Sequence, residues 1–153
     1  MPRTRHFQFE SIIPAEPSAL WEWHVRPGAF RKLTPWWAPA QVVSPSAPSR
    51  LEADTRLTLR VFMGPIPVKW IALHQNFDPP HSFMDIQESG PFRSWEHTHS
   101  FISHGGSGSV YRDSIAYSLP MPDFLGDVVN QVFRLQLWFL FRHRHSVVLK
   151  DFS

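Results

Sequence analysis

The chain has 153 residues, of which 42% are hydrophobic and 18% charged, a composition typical of a folded globular protein and not of a disordered one. It contains no cysteine, which excludes a disulfide framework, thiolate catalysis and zinc sites built on cysteine. The formal net charge is only +2 and the basic residues collect near the two ends, so we expect solvated chain ends and no nucleic-acid partner.

No segment predicts a signal peptide or a membrane span. The N-terminal residues 1–6 lack the apolar stretch of a signal peptide. The most apolar late segment, residues 135–141, is too short to cross a bilayer. We therefore expect a soluble, cytoplasmic protein without stable membrane insertion, folded as a single domain over residues 1–153.

The first part of the chain predicts one strand and two short helices. Alternating apolar and polar residues predict a strand at 6–14. Residues 17–25 predict a short helix, because Pro17 suits a first helical turn. Residues 29–33 predict a second short helix, which Pro35 ends.

Six further strands are predicted, because apolar residues alternate between turns rich in glycine and proline. They are expected at residues 40–44, 56–63, 67–77, 82–88, 92–103 and 109–119. Short turns between consecutive strands favour an antiparallel meander.

From Asp123 onward the apolar residues recur at spacings of three and four, which predicts a long amphipathic helix extending to about residue 147. Asp123 is the expected N-cap. The recurring residues are Leu125, Val128, Val129, Val132, Leu135, Phe139 and Leu140. Because a sheet with one apolar face must cover that face, we expect this helix to be the cover.

Polar groups alternate with aromatic ones in the middle of the chain. Every second residue there is aromatic, histidine, acid or amide, namely Phe83, Asp85, Gln87, Trp95, His97, His99 and Phe101. Period two indicates strands with two different faces, so these side chains belong to one face. An unpaired buried polar group costs about 1–3 kcal/mol, so the pattern indicates either a hydrogen-bond network or an occupied cavity.

These residues and the order of the elements resemble the START-like, or Bet v 1-like, superfamily, also called SRPBCC or polyketide cyclase/dehydrase and lipid transport. The resemblance to a bacterial ligand-binding branch is carried by Phe83-x-Asp85-x-Gln87-x-x-Gly90-Pro91-Phe92, Trp95-x-His97-x-His99-x-Phe101 and Asp113-x-Ile115-x-Tyr117-x-x-Pro120. It implies an α+β helix-grip fold, a curved seven-stranded antiparallel sheet around a long C-terminal helix, with two short helices after strand 1. It also implies a hydrophobic cavity between sheet and helix, but the superfamily is too diverse for membership to settle the function.

A five-residue hairpin loop at residues 104–108 would set the register of the last two strands. It places Ser103 opposite Ser109 and keeps the aromatic-rich face continuous. The expected pairs are then Phe101 with Tyr111, His99 with Asp113, His97 with Ile115, and Trp95 with Tyr117. A three-residue turn at 89–91 would place Asp85 opposite Trp95, with Gln87 near the rim.

Three interpretations of this polar face stay open: a purely structural network, contact with a ligand, or catalysis. We predict binding of a small hydrophobic molecule between helix residues 124–147 and the inward face. The expected ligand-binding residues are Phe83, Asp85, Gln87, Trp95, His97, His99, Phe101, Asp113, Ile115 and Tyr117. The alternative is an enzyme of the polyketide cyclase/dehydratase type, in which His99 and Asp113 act as general base and acid with Tyr117 nearby.

No cofactor and no metal ion are predicted. His97 and His99 with Asp85 or Asp113 would offer two imidazoles and a carboxylate, but each group is expected to have its own hydrogen-bond partner. His143 and His145 are two residues apart on the helix and are expected at the surface. A homodimer is left open, because Trp138 and Phe141 widen the apolar stripe of the helix.

Overall fold

The computed structural model of the protein describes residues 1–44 and 49–153. Within these ranges the elements are β1 (Arg5–Ile13), α1 (Pro17–Val25), α2 (Ala29–Leu33), β2 (Ala40–Val42), β3 (Arg56–Met63), β4 (Ile66–Asp78), β5 (Ser82–Ser89), β6 (Ser94–His104), β7 (Gly108–Ser118) and α3 (Asp123–Phe152). The strands form one antiparallel sheet in the order β1-β7-β6-β5-β4-β3-β2. The predicted α+β architecture and its meander are confirmed.

Helix α3 starts and ends differently from the prediction. It continues to Phe152, beyond the expected end near residue 147. Asp123 is its first helical residue and not the N-cap, a position that Pro122 occupies. The Asp123 carboxylate instead accepts a hydrogen bond of 3.0 Å from the backbone N–H of Arg3. Among the described residues, no helix has the length and hydropathy needed to cross a membrane.

The face of α3 that covers the sheet is not the predicted stripe. The buried positions of α3 are Gly126, Leu137, Phe141, His145 and Val148. Most of the expected stripe is exposed instead, namely Leu125, Val128, Val129, Val132, Leu135 and Phe139. The helix carries apolar residues around much of its circumference, so their recurrence alone does not select the buried face.

The chain ends are less solvated than expected. Arg5 on β1 is only 6% exposed, and its guanidinium donates to Asp127 Oδ1 on α3 at 2.8 Å. His145 is also buried, so its predicted place at the surface is wrong. Arg5 therefore joins β1 to the first turns of α3, and His145 joins α3 to β7.

Two hydrophobic clusters hold the helices against the sheet. The first lies under α1 and includes Ile13, Leu20, Trp21, Phe83, Phe101 and Tyr111. The second lies between α3 and strands β1 and β7 and includes Phe7, Ile115, Tyr117, Leu119, Leu137 and Phe141. Phe141 is therefore a core residue, while Trp138 stays partly exposed under the guanidinium of Arg142.

The register of β6 and β7 is the predicted one, with Ser103 opposite Ser109 and His99 opposite Asp113. The register of β5 and β6 is not, because Asp85 lies opposite His97 and not opposite Trp95. The connection between β5 and β6 is longer than the three-residue turn that was expected. A shift of two residues keeps the same side chains on the inward face, so the error moves Asp85 along the sheet without turning it outward.

Candidate ligand cavity and its histidine–carboxylate network

A cavity of about 380 Å³ lies between the sheet, the two short helices and α3. Most of its wall is nonpolar and includes Leu33, Leu57, Leu59, Trp70, Phe92 and Leu137. Polar side chains also reach the wall, among them His24, His74, Asp85, His97, His99 and Arg144. Its volume is within the range of about 300–1,000 Å³ that is common for small-molecule sites.

Asp113 is the centre of a buried network behind this cavity. Its side chain is fully buried on β7. Oδ1 accepts a hydrogen bond of 2.8 Å from His97 Nε2, and Oδ2 accepts one of 2.8 Å from His145 Nε2. Because a carboxylate only accepts, both nitrogens carry hydrogens, and the other ring nitrogen of His145, Nδ1, shares a hydrogen bond of 2.6 Å with the hydroxyl of Ser11.

Asp85 is the second carboxylate of the network and lines the cavity. Its Oδ2 accepts a hydrogen bond of 3.0 Å from His99 Nε2 and lies 3.4 Å from His97 Nδ1. His99 Nδ1 lies 3.0 Å from Asp113 Oδ1, but within the described residues this contact lacks hydrogen-bond geometry. Both imidazoles on β6 therefore sit between the two carboxylates.

The network divides charge unequally between the two histidines of β6. Burial opposes a charge on His99, but the carboxylates of Asp113 and Asp85 outweigh it and raise the pKa of His99 to about 9. Burial, together with the charge of His99, lowers the pKa of His97. Burial alone would raise the pKa of Asp113, yet the N–H groups of the histidines hold it well below its usual range. At neutral pH the network thus holds charged His99, neutral His97 and ionised Asp113.

His24 on α1 belongs to the cavity wall and has one ring nitrogen without a hydrogen-bond partner among the described residues. Its Nδ1 lies 2.7 Å from the carbonyl oxygen of Leu20, so Nδ1 carries the hydrogen and donates it. Burial, and then the nearby charge of His99, lower the pKa of His24 to about 3, so the ring is neutral. Nε2 is buried and has no hydrogen-bond partner in the part of the chain that the structure describes. It is therefore a hydrogen-bond acceptor without a donor.

The family model described as polyketide cyclase / dehydrase and lipid transport matches residues 13–141. The chain belongs to this family. The helix-grip arrangement of sheet and C-terminal helix is the fold that the family and its structural neighbours support. A search of curated proteins finds no match for this member of the family.

Solved structures share the fold of this polyketide cyclase/dehydrase family member at low identity. The protein TTHA0849 from Thermus thermophilus is 20% identical with a TM-score of 0.70, over 97% of this chain and 100% of that one. Norcoclaurine synthase from Thalictrum flavum, in complex with dopamine and hydroxybenzaldehyde, is 17% identical with a TM-score of 0.68, over 99% and 90%. A START superfamily protein from Mycobacterium smegmatis is 11% identical with a TM-score of 0.64, over 96% of each chain.

In this family member, half of the predicted ligand-binding residues line the cavity, namely Phe83, Asp85, Trp95, His97 and His99. Gln87 instead bonds the backbone of Phe92, and Asp113 lies behind the two histidines. Phe101, Ile115 and Tyr117 pack inside the two core clusters. The hydroxyl of Tyr117 donates to Asn130 on α3, so it is not part of the histidine network.

Two histidines of the site, one in the network and one in the cavity wall, were not predicted as site residues. His145 lies three positions before Val148 and four after Phe141, a spacing that would have placed it on the buried face of α3. His24 lies four positions after Leu20 on α1, a spacing that places both residues on the same buried face of the helix. In each case the signal was a histidine on an apolar helical face, which by itself does not identify what the ring contacts.

Proposed function

We propose that this protein binds a small, mainly nonpolar molecule whose polar end is a hydrogen-bond donor, such as a hydroxyl or an amine. The family includes lipid-transport and cyclase members by its description, so membership supports a ligand in the cavity. The observation that carries the donor requirement is the Asp85 carboxylate in the cavity wall, and the unpartnered Nε2 of the neighbouring His24 is a second acceptor, whose lack of a donor costs about 1–3 kcal/mol.

The charge of the cavity supports the same chemistry. Asp85 faces the cavity as an ionised carboxylate, since the neighbouring imidazoles outweigh its burial and hold its pKa below the usual range. Its side chain is 16% exposed. A carboxylate and a neutral imidazole lone pair both accept hydrogen bonds, so a ligand with a donor group satisfies them and a ligand with only acceptors does not.

The nonpolar wall is expected to set the shape of the ligand. Phe83, Trp95, Leu59 and Leu137 belong to this wall. The Thalictrum flavum norcoclaurine synthase holds dopamine and hydroxybenzaldehyde, which are small aromatic rings that carry hydroxyl groups. A ligand of this size and polarity is compatible with a cavity of about 380 Å³.

Acid–base catalysis is the second candidate. It is favoured by the chain of hydrogen bonds from Ser11 through His145 and Asp113 to His97, beside the pair of His99 and Asp85. In this candidate His99 and Asp113 handle the proton, as in a polyketide cyclase or dehydratase. His99→Ala separates the candidates, because a binding protein keeps measurable affinity for its ligand whereas an enzyme loses turnover far more than affinity.

The primary proposal can be tested with a fluorescent naphthol, titrated in the presence of a chelator. Ala72 lines the cavity on β4, so Ala72→Leu fills part of the space. Ala116 belongs to β7 but lies outside the cavity wall, so Ala116→Leu adds the same volume elsewhere. We expect Ala72→Leu to weaken naphthol binding at least tenfold and Ala116→Leu to leave it unchanged. Equal binding by both variants would place the probe outside the cavity and contradict the proposal.

Other aspects of the function rest on the sequence. We propose a cytoplasmic location, which the absence of cysteine supports without requiring it. A homodimer and the absence of a nucleic-acid partner both stay predictions. Sedimentation of the purified protein at several concentrations would measure its oligomeric state directly.

A further inference from the structure

The two histidines of β6 and Asp85 place three metal-binding side chains at one point of the cavity wall. Asp85 Oδ2 lies 3.0 Å from His99 Nε2 and 3.4 Å from His97 Nδ1. One ligand atom from each residue lies within 4.8 Å of the others. Ligand atoms that share a transition-metal ion at about 2.0–2.2 Å are themselves separated by about 3 Å in octahedral and about 3.4 Å in tetrahedral geometry, so the two distances to Asp85 are of the size found in a coordination shell.

Asp113 lies on the far side of both imidazole rings. Its Oδ1 is 2.8 Å from His97 Nε2 and 3.0 Å from His99 Nδ1. Histidines that bind metals usually direct their second ring N–H to a carboxylate, which fixes the tautomer. In the metal-free protein His99 Nε2 donates to Asp85, so a bound ion takes the place of that hydrogen, which leaves as a proton. His97 Nδ1 and His99 Nε2 are then the lone pairs nearest Asp85, and the second nitrogen of each ring lies beside Asp113.

In the metal-free protein Asp85 Oδ2 accepts a hydrogen bond from His99 Nε2 but none from His97. His97 donates through Nε2 to Asp113, so its Nδ1 lone pair stands 3.4 Å from an oxygen of ionised Asp85. Two electron-rich atoms that face each other without a hydrogen between them repel. A cation between the imidazoles and Asp85 removes this repulsion, while Asp113 and its bond to His145 hold the rings in place.

We propose that Asp85, His97 and His99 bind a divalent first-row transition-metal ion, with Asp113 orienting the two imidazoles. Two nitrogens and one carboxylate oxygen suit Zn²⁺, Co²⁺ or Fe²⁺ better than Mg²⁺ or Ca²⁺, which prefer oxygen ligands alone. All three residues line the cavity, so a fourth coordination position is left on that side for water or a ligand. The site does not depend on the ligand-binding function proposed above.

The test is calorimetric titration of chelator-treated protein with Zn²⁺ alone. We expect one ion per chain with micromolar or tighter affinity in the wild type. Asp85→Asn and His99→Gln each remove one ligand, so each is expected to weaken binding by about 100-fold or more. His104→Gln is the matched control, because it removes an exposed histidine at the end of the same strand. Its affinity for Zn²⁺ should equal that of the wild type.

Asp113→Asn tests the orienting role separately. Loss of a carboxylate that orients metal-binding imidazoles typically weakens metal binding by 10–100-fold, so we expect that loss with the stoichiometry still one. Circular dichroism identifies any variant that does not fold. NMR of the histidine rings in the wild type tests the location of the site without variants, since Zn²⁺ should shift the resonances of His97 and His99 and leave those of His104 in place. Absence of stoichiometric uptake, or unchanged affinity in Asp85→Asn and His99→Gln, would overturn the proposal.

Discussion

Asp113 Oδ2 and His145 Nε2 are joined by a hydrogen bond of 2.8 Å, which connects the middle of β7 to the C-terminal half of α3. The ring of His145 also stacks on Tyr111 with 4.0 Å between centroids. The bond therefore anchors the long helix to the sheet at a buried polar point beside Tyr111. It also couples the position of the helix to the network that lines the cavity, because the same carboxylate holds His97.

Replacing Asp113 by Asn should destabilise the protein strongly. The amide keeps the size of the side chain but cannot accept on both sides, so an N–H group of a buried imidazole loses its acceptor. Breaking one partner of a buried charged network costs about 3–5 kcal/mol, and we expect a loss of that size in urea unfolding. Glu10→Gln breaks the exposed pair with Arg112 and should cost about 0–1 kcal/mol. Equal small losses in both variants would contradict the role of Asp113.

The position of Asp113 opposite His99 could be predicted from the sequence, whereas the bond of Asp113 to His145 on α3 could not. Loop length and face parity fixed His99 opposite Asp113, since a slip of one residue would have mixed the two faces. The partner, His145, depends on which face of α3 is buried, and apolar residues lie around much of that helix. Only the fit of Leu137 and Phe141 against the sheet selects the face.

The position of Asp85 shows a second limit of prediction. Its inward face followed from the alternation, but its partner depended on the conformation of the loop before β6. That loop is held by the Gln87 side chain, which donates to the Phe92 carbonyl at 2.7 Å and accepts from the Phe92 N–H at 3.0 Å. Such a bond, between a side chain and the backbone of a residue five positions later, leaves no periodic pattern in the sequence. The contact between Asp85 and His97 was therefore not predictable.

Gln87→Ala should destabilise the protein and loosen the cavity wall. It leaves the N–H and the carbonyl of Phe92 without these partners, and Phe92 lines the cavity. We expect a loss of about 1–3 kcal/mol in urea unfolding, together with weaker naphthol binding. Gln41→Ala removes an exposed glutamine on β2 and should change stability by less than about 0.5 kcal/mol. A similar small effect in both variants would show that Gln87 does not hold the loop.

Stability should fall in mild acid because His24 resists protonation in the folded protein. Its pKa is lowered from 6.5 to about 3, so below pH 6.5 the unfolded chain binds a proton that the native chain does not. The contribution of neutral His24 to the free energy of unfolding is complete above pH 6.5 and declines as the pH falls toward 3. Between pH 7 and pH 4.5 this contribution should decrease by about 2–3 kcal/mol.

His24→Phe is the variant that isolates this effect. It keeps a ring among Phe101 and Tyr111 and removes the titration, so its unfolding free energy should fall less between pH 7 and pH 4.5 than that of the wild type. Gln41→Ala removes an exposed side chain that does not titrate and should keep the wild-type slope. An unchanged slope in His24→Phe would mean that His24 is protonated equally in both states.

Protein purified from its own cells should carry a ligand if the cavity is filled in vivo. We expect native mass spectrometry to detect a noncovalent adduct that organic solvent extracts. Ala72→Leu should lose the adduct, because it occupies the same space, and Ala116→Leu should keep it. An adduct retained equally by Ala72→Leu would have to be bound elsewhere.

The central claim is that the polar end of the cavity requires a hydrogen-bond donor, because the Asp85 carboxylate in its wall accepts and the neighbouring His24 Nε2 has no donor. The most direct measurement compares the affinities of a naphthol and the corresponding methoxynaphthalene for metal-free wild-type protein. The two molecules share one aromatic skeleton and differ in whether the oxygen can donate. We expect the naphthol to bind at least tenfold more tightly, and this preference to shrink in His24→Phe. Equal affinities, or tighter binding of the ether, would contradict the account.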